Sequence, residues 1–499
     1  MNLRFLILFV LTVFVVDTAS AHIYNRPMPD SSFKVASPFQ SNMVVQQGKP
    51  FTLWGEARYG QKVVIKASWA NSAVTVKVNK SGYWRGQIAV PKAISGDFTP
   101  HTLTLYCNGT TIALNNLAIG EVWFAAGQSN MRYKMIGSKG DVDGVVDYET
   151  EIPLANCPNI RLLTVAMDFK ARPHSTFSGN WVVCTPETVK EFSGVGYYFA
   201  REIQSKLNVP VGIILSAVGA SSIQAWTRRE TLAADTADEH LKRYDADAKS
   251  KLPLTPDFTF EKVVRPTLLY NAMVHPIAGF SLRGFLWYQG ETNRWEGKKY
   301  TRSLSRMIQS WRDEFGQGSL PFYYVQVAPY LDRREDLVND YYAIFREAQA
   351  EVRATENTEM AITLDSEDPK NIHPREKKPV GLRLARIALN KTYQIVTPYL
   401  GPQVSDITVE GSSLRLIYNK STLAGGLATT DNKPPANFFI AGSDKVFYAA
   451  NAVIAGDDII LQAGSVQKPL YLRYAFTSSV VTNLTNKAGL PAEQFRNDE

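Results

Sequence analysis

The chain has 499 residues and a formal net charge of +7, with 45% hydrophobic and 20% charged residues, a composition typical of globular proteins. This length is too great for a single hydrophobic core, so we expect two to four domains. The positive excess is spread along the chain, which argues against a nucleic-acid-binding protein, and three cysteines are too few for a disulfide scaffold. Cys157 and Cys184 can pair in an oxidising compartment, but the sequence alone does not decide it.

The first residues have the pattern of a secretory signal peptide. Arg4 precedes the apolar run Phe5–Val16, and Ala19 and Ala21 match the small-x-small cleavage pattern. The run is shorter than the roughly 20 residues that span a bilayer as a helix. We therefore expect a signal peptide at residues 1–21 and an exported chain without a membrane span. The periplasm is favoured, with the extracellular space or the lysosome as alternatives.

The mature chain divides into three regions that differ in their pattern of strand-like and helical segments. Residues 22–117 contain short strand-like segments separated by glycine turns, which predicts an N-terminal β-sandwich domain. Residues 118–397 alternate apolar strands with helical segments, which is typical of an α/β domain whose parallel sheet is covered on both faces. Residues 398–499 return to short strands and predict a C-terminal β-domain, which either packs on its own or docks on the first β-domain. The strands and helices predicted in the middle region are 122–126, 211–215, 282–288, 322–327 and 360–364, and 196–207, 299–315, 341–354 and 379–390.

Catalytic groups in an open α/β sheet lie at the carboxyl ends of the strands. Ser129 follows the first strand within Gly127-Gln-Ser-Asn-Met131, where it would begin a helix with its own N–H able to help bind an oxyanion. The segment is not the G-x-S-x-G elbow of α/β-hydrolases, because Met131 stands in place of the second glycine. A serine that only caps a helix is the alternative.

Polar groups also follow the next two strands. Gly219 follows the second and can offer an unobstructed N–H to an oxyanion, although an ordinary tight turn explains it equally well. Gln289, Glu291 and Asn293 follow the third, behind apolar residues. Buried polar side chains need partners, so these three predict either a functional site or a structural hydrogen-bond network.

A serine nucleophile needs a base, most often a histidine oriented by an acid. Of the six histidines, only His373 follows a strand end together with an acidic cluster, which contains Asp365 and Asp368. His275 lies among apolar residues and is better explained as a core histidine. We therefore predict His373 as the base. The remaining histidines are His22, His101, His174 and His240.

Several sequence blocks together resemble the sialate O-acetylesterase family of SGNH-type hydrolases. The resemblance extends from about Pro38 to Asp498 and depends on the blocks occurring in this order. The four main blocks are Trp123-Phe-Ala-Ala-Gly-Gln-Ser-Asn-Met131, Gly219 to Trp226, Trp287-Tyr-Gln-Gly-Glu-Thr-Asn293 and Ile372-His-Pro374. Further matches are Leu269-Tyr-Asn271, Trp311-Arg312, Leu320-Pro-Phe322, Arg346-Glu-Ala-Gln349, Arg473-Tyr-Ala-Phe476 and 483–491.

The resemblance implies a flavodoxin-like three-layer α/β/α catalytic domain flanked by β-sandwich-type domains. The implied reaction removes O-acetyl groups from sialic acids through a serine acyl-enzyme, without a metal or other cofactor. In this chain Ser129 would attack the acetyl carbonyl and His373 would take its proton. The N–H groups of Ser129 and Gly219 and the side chain of Gln289 would bind the oxyanion.

One position departs from the family pattern. SGNH hydrolases commonly have an aspartate three residues before the histidine, and here that residue is Lys370. We expect Asp368 to orient His373 in its place, with a backbone carbonyl or Asp365 as the alternatives. Supporting roles are expected for Glu291, Asn293 and Asp365, with Glu291 holding its loop.

Two other functions are compatible with parts of the sequence. The first is an acetyl esterase for xylan or another polysaccharide, which would share the mechanism and differ only in the loops that contact the sugar. The second is a non-catalytic sugar-binding protein, which would not need Ser129, Gly219, Gln289 and His373 together. In each case we expect the protein to bind a sugar, and we do not expect it to bind nucleic acid.

Overall fold

The computed structural model describes residues 33–138, 142–235, 239–247, 254–331 and 340–498. The predicted signal peptide at residues 1–21 and His22 lie outside the described residues. Within these ranges, no helix combines the length and the apolar character needed to cross a bilayer.

The N-terminal region contains two antiparallel sheets. The first has the order β1-β3-β6, and the second joins β5, β4, β7 and the start of β8. Their inner faces share one core, in which Leu53 and Trp84 of the first sheet cluster with Ile65 and Leu105 of the second. The strands are β1 Lys34–Val35, β2 Val44–Gln46, β3 Phe51–Glu56, β4 Lys62–Ala67, β5 Val74–Lys77, β6 Tyr83–Ile88, β7 His101–Cys107 and β8 Thr110–Gly127.

Strand β8 connects this region to the central sheet. Its first part pairs with β7, whereas residues 121–127 pair with the strands of the central sheet, and β2 joins it at residues 118–120. The predicted boundary between residues 117 and 118 therefore lies inside a continuous strand. Burial changes at the same place, because every residue of β8 from Leu117 onward is buried. The change in sequence pattern near residue 117 is thus a change from a mostly exposed part to a buried part of one strand.

The central sheet has the strand order β10-β9-β11-β8-β12-β13-β14. The strands are β9 Cys157–Thr164, β10 Trp181–Cys184, β11 Val211–Ala217, β12 Gly284–Tyr288, β13 Phe322–Val325 and β14 Thr358–Ala361. Six strands, in the order β9-β11-β8-β12-β13-β14, are mutually parallel, and five of them, all except β9, agree with the five predicted from the sequence. Strands β9 and β10 extend the sheet beyond β11 and were not predicted.

Helices cover both faces of this sheet. Trp123 of β8 packs against Phe199 on one face, in a cluster with α4 and α10, whereas the next residue, Phe124, packs against Trp311 of α8 on the other. The α-helices are α1 Ser129–Arg132, α2 Tyr148–Glu151, α3 Pro186–Val189, α4 Gly194–Leu207, α5 Arg229–Ala233, α6 His240–Ala246, α7 Phe260–Val264, α8 Lys299–Phe315, α9 Tyr341–Glu351 and α10 Lys377–Ile387. Short 3₁₀ or π turns lie at Ile223–Trp226, Tyr270–Val274, His275–Ile277, Glu291–Glu296, Val352–Ala354, Ala388–Thr392 and Lys420–Thr422.

The C-terminal region forms three small antiparallel sheets, β15-β16-β21-β20, β17-β23 and β19-β18-β22-β24. Their strands are β15 Val404–Glu410, β16 Ser413–Tyr418, β17 Leu427–Thr429, β18 Phe438–Ala441, β19 Tyr448–Ala449, β20 Asn451–Ala455, β21 Asp458–Gln462, β22 Tyr471–Tyr474, β23 Leu484–Asn486 and β24 Phe495–Arg496.

This region docks on the central domain through a buried arginine. Arg346 of α9 is fully buried and donates hydrogen bonds to Gln494 Oε1 at 2.6 Å and to the carbonyl oxygens of Thr477 and Ser478. Asp340 accepts the N–H of Ser478 at 2.7 Å. The sequence left open independent packing or docking on the first β-domain, whereas these contacts join the C-terminal region to the central domain.

Two of the three cysteines face each other on the edge strands. Cys157 of β9 lies opposite Cys184 of β10 in the strand register. The Cys184 thiol donates to the Ala155 carbonyl oxygen at 3.7 Å, and its proximity to Cys157 lowers the pKa of Cys157 to about 7. Both are free thiols in the structure, as is Cys107 in the N-terminal region.

Candidate active site

The exit of β8 places Ser129 at the carboxyl edge of the sheet. The chain leaves the strand at Gly127 with a φ of 139°, and a Cβ there would come within 2.1 Å of the Tyr288 carbonyl oxygen. Only glycine tolerates both this conformation and this close approach. Helix α1 then begins at Ser129, whose hydroxyl points toward His373.

Ser129 and His373 are in direct contact, although 244 residues separate them in the chain. The distance between Ser129 Oγ and His373 Nε2 is 2.7 Å, within the hydrogen-bonding range that a serine and its general base require. The loop that carries His373 is held by two hydrogen bonds at and just before this residue. His373 N donates to Asn371 Oδ1 at 2.9 Å, and the carbonyl oxygen of Ile372 accepts from Asn130 Nδ2 at 3.0 Å.

Two backbone donors flank the nucleophile. A Cβ built on Gly219 would lie 3.7 Å from Ser129 Cβ, so the turn after β11 touches the start of α1. In the described part of the chain, neither the N–H of Ser129 nor that of Gly219 is directed to a protein acceptor. Free N–H groups beside a nucleophile can bind a developing oxyanion.

The structure does not support the predicted oxyanion role of Gln289. Its side-chain amide has two N–H donors, and these bond to the Ser221 carbonyl oxygen at 2.9 Å and to Asn293 Oδ1 at 2.7 Å. Its carbonyl oxygen accepts from the Tyr300 hydroxyl at 2.8 Å. Gln289 is completely buried and has no donor left for a substrate. It belongs instead to the structural network that the sequence left open as the alternative.

Asn293 completes that network. Its Oδ1 also accepts the N–H of Ile223 at 2.9 Å, and its Nδ2 donates to Gln224 at 3.0 Å and to Glu296 at 2.8 Å. These bonds tie the loop after β11 to the loop after β12, and the β11 loop carries Gly219. Asn293 thus lies where the expected supporting role requires it.

A second buried network lies directly behind the Ser–His pair and consists of Asn130, Glu291 and Lys377. Asn130 Nδ2 donates to Glu291 Oε1 at 2.5 Å, and Lys377 Nζ donates to Asn130 Oδ1 at 2.7 Å. Because Asn130 also binds the Ile372 carbonyl, this Asn130 network connects α1, the β12 loop and the His373 loop. Desolvation raises the pKa of Glu291 and lowers that of Lys377 to about 7. The sequence predicted Glu291 as a loop support but did not reveal Asn130 or Lys377.

The burial of Lys377 gives stability a specific pH dependence. Its pKa is about 7 in the folded chain, against an ordinary value of 10.5. Between these two values the unfolded chain binds the proton and the folded chain does not, so wild-type stability rises with pH. Lys377→Met removes this titration. We expect the free energy of unfolding of wild type, relative to the variant, to rise by about 1.4 kcal/mol per unit between about pH 8 and pH 9.5. Urea unfolding of both proteins at several pH values measures this difference in the free energy of unfolding. A difference that does not change with pH would show that Lys377 stays protonated in the folded chain.

The predicted orientation of His373 by Asp368 is not what the structure shows. Asp368 is exposed, and its carboxylate accepts the N–H of Lys370 at 3.1 Å within its own turn. Asp365 forms a bidentate ion pair with Arg383, in which the Nη1–Oδ1 distance is 2.8 Å. Neither carboxylate forms an ion pair or a hydrogen bond with His373. Asp365 anchors the base of the loop, as expected for a supporting residue.

Asp368→Asn is therefore expected to keep kcat within about threefold of wild type, because an amide oxygen can still accept the Lys370 N–H. Asp365→Asn is expected to lower the free energy of unfolding by about 1 to 3 kcal/mol, because Arg383 loses its charged partner. Steady-state rates and urea unfolding of both variants provide the test. A loss of kcat by orders of magnitude in a folded Asp368→Asn protein would restore the role predicted from the sequence.

The other described histidines have partners away from Ser129. His275 Nδ1 lies 3.1 Å from Glu314 Oε1, which agrees with a satisfied structural histidine. His101 packs edge-on against Trp69 in the N-terminal region, His174 bonds to Thr176 within its loop, and His240 lies beside Glu296. His373 is the described histidine that contacts the serine.

A polar cleft of about 1070 Å³ opens beside His373. This volume accommodates at least one sugar ring with its substituents. Its lining is rich in hydrogen-bonding and aromatic groups, which suit a carbohydrate. They include Tyr133, Lys134, Tyr148, Asn371 and Arg375.

The geometry can be compared with known proteins. The family model described as "Carbohydrate esterase, sialic acid-specific acetylesterase" matches residues 119–390, which contain the sheet, Ser129, Gly219 and His373. The chain belongs to this family. It is accordingly a carbohydrate O-acetylesterase and a carboxylic-ester hydrolase, as the resemblance implied, and not a sugar-binding protein without activity.

Individual relatives agree with the family match. The chain is 25% identical to the sialate O-acetylesterase of Mus musculus over 404 residues, covering 70% of this chain and 72% of that protein. It is also 25% identical to the sialate O-acetylesterase of Homo sapiens over 390 residues, covering 70% of this chain and 69% of that protein. A crystal structure of a carbohydrate acetylesterase from Xanthomonas citri superposes with a TM-score of 0.82 at 28% identity. The match covers 94% of this chain and all of that one.

Proposed function

We propose that this esterase removes O-acetyl groups from sialic acids through a covalent acyl-enzyme on Ser129. The observation that carries the proposal is the 2.7 Å contact between Ser129 Oγ and His373 Nε2 at the carboxyl edge of the sheet. A neutral imidazole at this distance can accept the hydroxyl proton as the oxygen becomes a nucleophile.

The reaction then follows from the groups around the pair. Ser129 Oγ attacks the acetyl carbonyl carbon while His373 Nε2 takes the proton, and the N–H groups of Ser129 and Gly219 bind the resulting oxyanion. Collapse breaks the bond between the acetyl carbon and the sugar oxygen, which takes the proton from His373. Water, deprotonated by His373, then attacks the acetyl carbon of the acyl-enzyme. The bond from that carbon to Ser129 Oγ breaks, Oγ takes the proton back from His373, and acetate leaves. The Asn130 network keeps the His373 loop in place through the Ile372 carbonyl.

Sialic acid is the sugar that the family description and both curated relatives favour. An acetyl ester of xylan or of another polysaccharide would use the same serine and the same oxyanion donors. The two candidate activities differ only in the residues that bind the sugar.

We assign the central domain to the flavodoxin-like three-layer SGNH type. In support of this assignment, the five predicted strands stand in the order 2-1-3-4-5, with β9 as a sixth parallel strand beyond β11, and helices cover both faces of the sheet. Residues 22–117, 118–397 and 398–499 are the proposed domains, with the first boundary inside β8. We also propose an exported protein that acts in the periplasm, on the basis of the signal-like pattern of residues 1–21.

Acetate release from a panel of defined esters tests the proposed function. The panel contains O-acetylated sialic acid, acetylated xylan and p-nitrophenyl acetate, each assayed with wild type and with Ser129→Ala. We expect wild type to release acetate from the sialic acid with the highest kcat/KM of the natural sugars, and the variant to release none. Turnover of acetylated xylan in preference to sialic acid would replace the proposed substrate and leave the mechanism intact.

A further inference from the structure

Arg132 is a cation at the active site whose role the reaction above does not explain. It is the last residue of α1, one turn after Ser129, and its side chain is exposed. Its Nη2 atom lies 3.5 Å from the position that a Cβ on Gly219 would occupy, and Ser129 Cβ lies 3.7 Å from the same position. The guanidinium therefore touches the glycine that flanks the nucleophile.

This guanidinium has no acidic partner in the described part of the chain. Neighbouring cations are engaged: Lys134 pairs with Glu191 at 2.6 Å, Lys377 donates to Asn130, and Arg375 Nε donates to the Gly144 carbonyl at 2.8 Å. The Arg132 side chain makes no ion pair and no hydrogen bond within the described ranges. A guanidinium carries five N–H donors in a planar fork that matches a carboxylate.

The backbone beneath Arg132 is held firmly. Asn130 and Met131 are completely buried, and the Met131 carbonyl accepts the Ser193 hydroxyl at 2.6 Å. The backbone N–H of Arg132 donates a hydrogen bond to the Gln128 carbonyl oxygen at 2.9 Å, which completes the turn of α1. The side chain thus extends from a rigid support to a position beside Gly219 and Ser129, next to the hydroxyl that the substrate must reach.

We propose that Arg132 binds the carboxylate of an acidic sugar and so determines which acetyl esters this enzyme selects. This inference rests on the proposed function and deepens it, because sialic acid carries a carboxylate and xylose does not. A bidentate pair between the guanidinium and the carboxylate positions the sugar relative to Ser129. A neutral sugar leaves the guanidinium hydrated and gains nothing from it.

The test compares acids with their methyl esters. The substrates are O-acetylated sialic acid, O-acetylated galacturonic acid, the carboxyl methyl ester of each, and p-nitrophenyl acetate. The proteins are wild type, Arg132→Gln, Arg132→Lys and Arg58→Gln. Arg58 is exposed in the N-terminal region and controls for the loss of one positive charge.

For wild type we expect kcat/KM to be about 10- to 100-fold higher for the acidic sugar than for its methyl ester. Arg132→Gln should bring the ratio of the two kcat/KM values to about one, and p-nitrophenyl acetate hydrolysis measures any separate effect of the substitution on the nucleophile. Arg132→Lys should restore part of the preference, because an ammonium keeps the charge but loses the fork. Arg58→Gln should behave as wild type, and added salt should weaken the preference in both of these proteins.

The outcomes separate this inference from the proposed function. If wild type hydrolyses the acetylated sialic acid and its methyl ester equally well, the carboxylate site is wrong and the sialate function stands. If wild type ignores both sialic acid esters but prefers the acidic galacturonate through Arg132, the site stands and the proposed sugar is wrong. A preference for the acid that survives in Arg132→Gln would also overturn the role of Arg132.

Discussion

Replacing Ser129 with alanine is expected to lower kcat for any acetyl ester by about five to six orders of magnitude, the loss seen when a serine hydrolase loses its nucleophile. No covalent acyl-enzyme can form without the hydroxyl, and His373 has no proton to accept. The oxyanion donors are backbone N–H groups, so they survive the substitution and leave only residual catalysis of direct hydrolysis. Steady-state hydrolysis of p-nitrophenyl acetate measures the loss.

The same substitution should leave the fold intact. Ser129 is half-buried, and the side-chain hydrogen bond to His373 is the one that the alanine removes. We expect the free energy of unfolding to change by no more than about 1 kcal/mol. A folded Ser129→Ala protein that still turns over acetyl esters at the wild-type rate would show that another residue is the nucleophile.

His373→Ala is the second substitution with a large expected effect, and His275→Ala is its matched control. Loss of the imidazole that contacts Ser129 Oγ should lower kcat by about four to six orders of magnitude. Loss of His275 removes a hydrogen bond to Glu314, which still pairs with Arg228 at 2.9 Å. That variant should lose about 1 to 3 kcal/mol of stability and little activity.

The pH dependence of kcat/KM provides an independent check on the base. Activity should fall toward acid pH, because a protonated imidazole cannot accept the serine proton. The residual activity of His373→Ala should not follow this profile. Equal losses of kcat in the two histidine variants, at matched stability, would contradict the assignment.

The Ser–His pair could be predicted because it depends on features that are local in sequence. Apolar strands are readable from the residues, and parallel strands bring their carboxyl ends to one edge. Ser129, Gly219 and His373 each follow such a strand, and the structure brings the three together. The same reasoning located α8, whose predicted bounds of Lys299–Phe315 are those observed.

The failures concern side chains whose direction is set by distant residues. Gln289 lies in the expected loop, but its amide is turned inward by Ser221, Asn293 and Tyr300. No sequence pattern near Gln289 predicts these three hydrogen-bond partners. Asp368 was placed by its spacing from the histidine, yet the carboxylate closes a turn on the N–H of Lys370, a local bond that competes with any reach toward the ring.

The Asn130 network and the edge strands were missed for related reasons. Asn130 is adjacent to the nucleophile, but its contacts with Glu291 and Lys377 lie 161 and 247 residues away. Strand β10 has only four residues and pairs with β9 across a bulge, which leaves little periodicity to recognise. Buried polar networks and short irregular strands depend on residues that are distant in the chain, so they are difficult to predict from a single sequence.

The most direct test of the central claim is to locate the covalent adduct that an active-site phosphonate forms with the folded enzyme. Peptide mass spectrometry after reaction with a fluorophosphonate should find one modified residue, Ser129, at one equivalent per chain. That serine carries the hydroxyl in contact with His373 Nε2. A stoichiometric adduct on any other residue, with loss of esterase activity, would contradict the account.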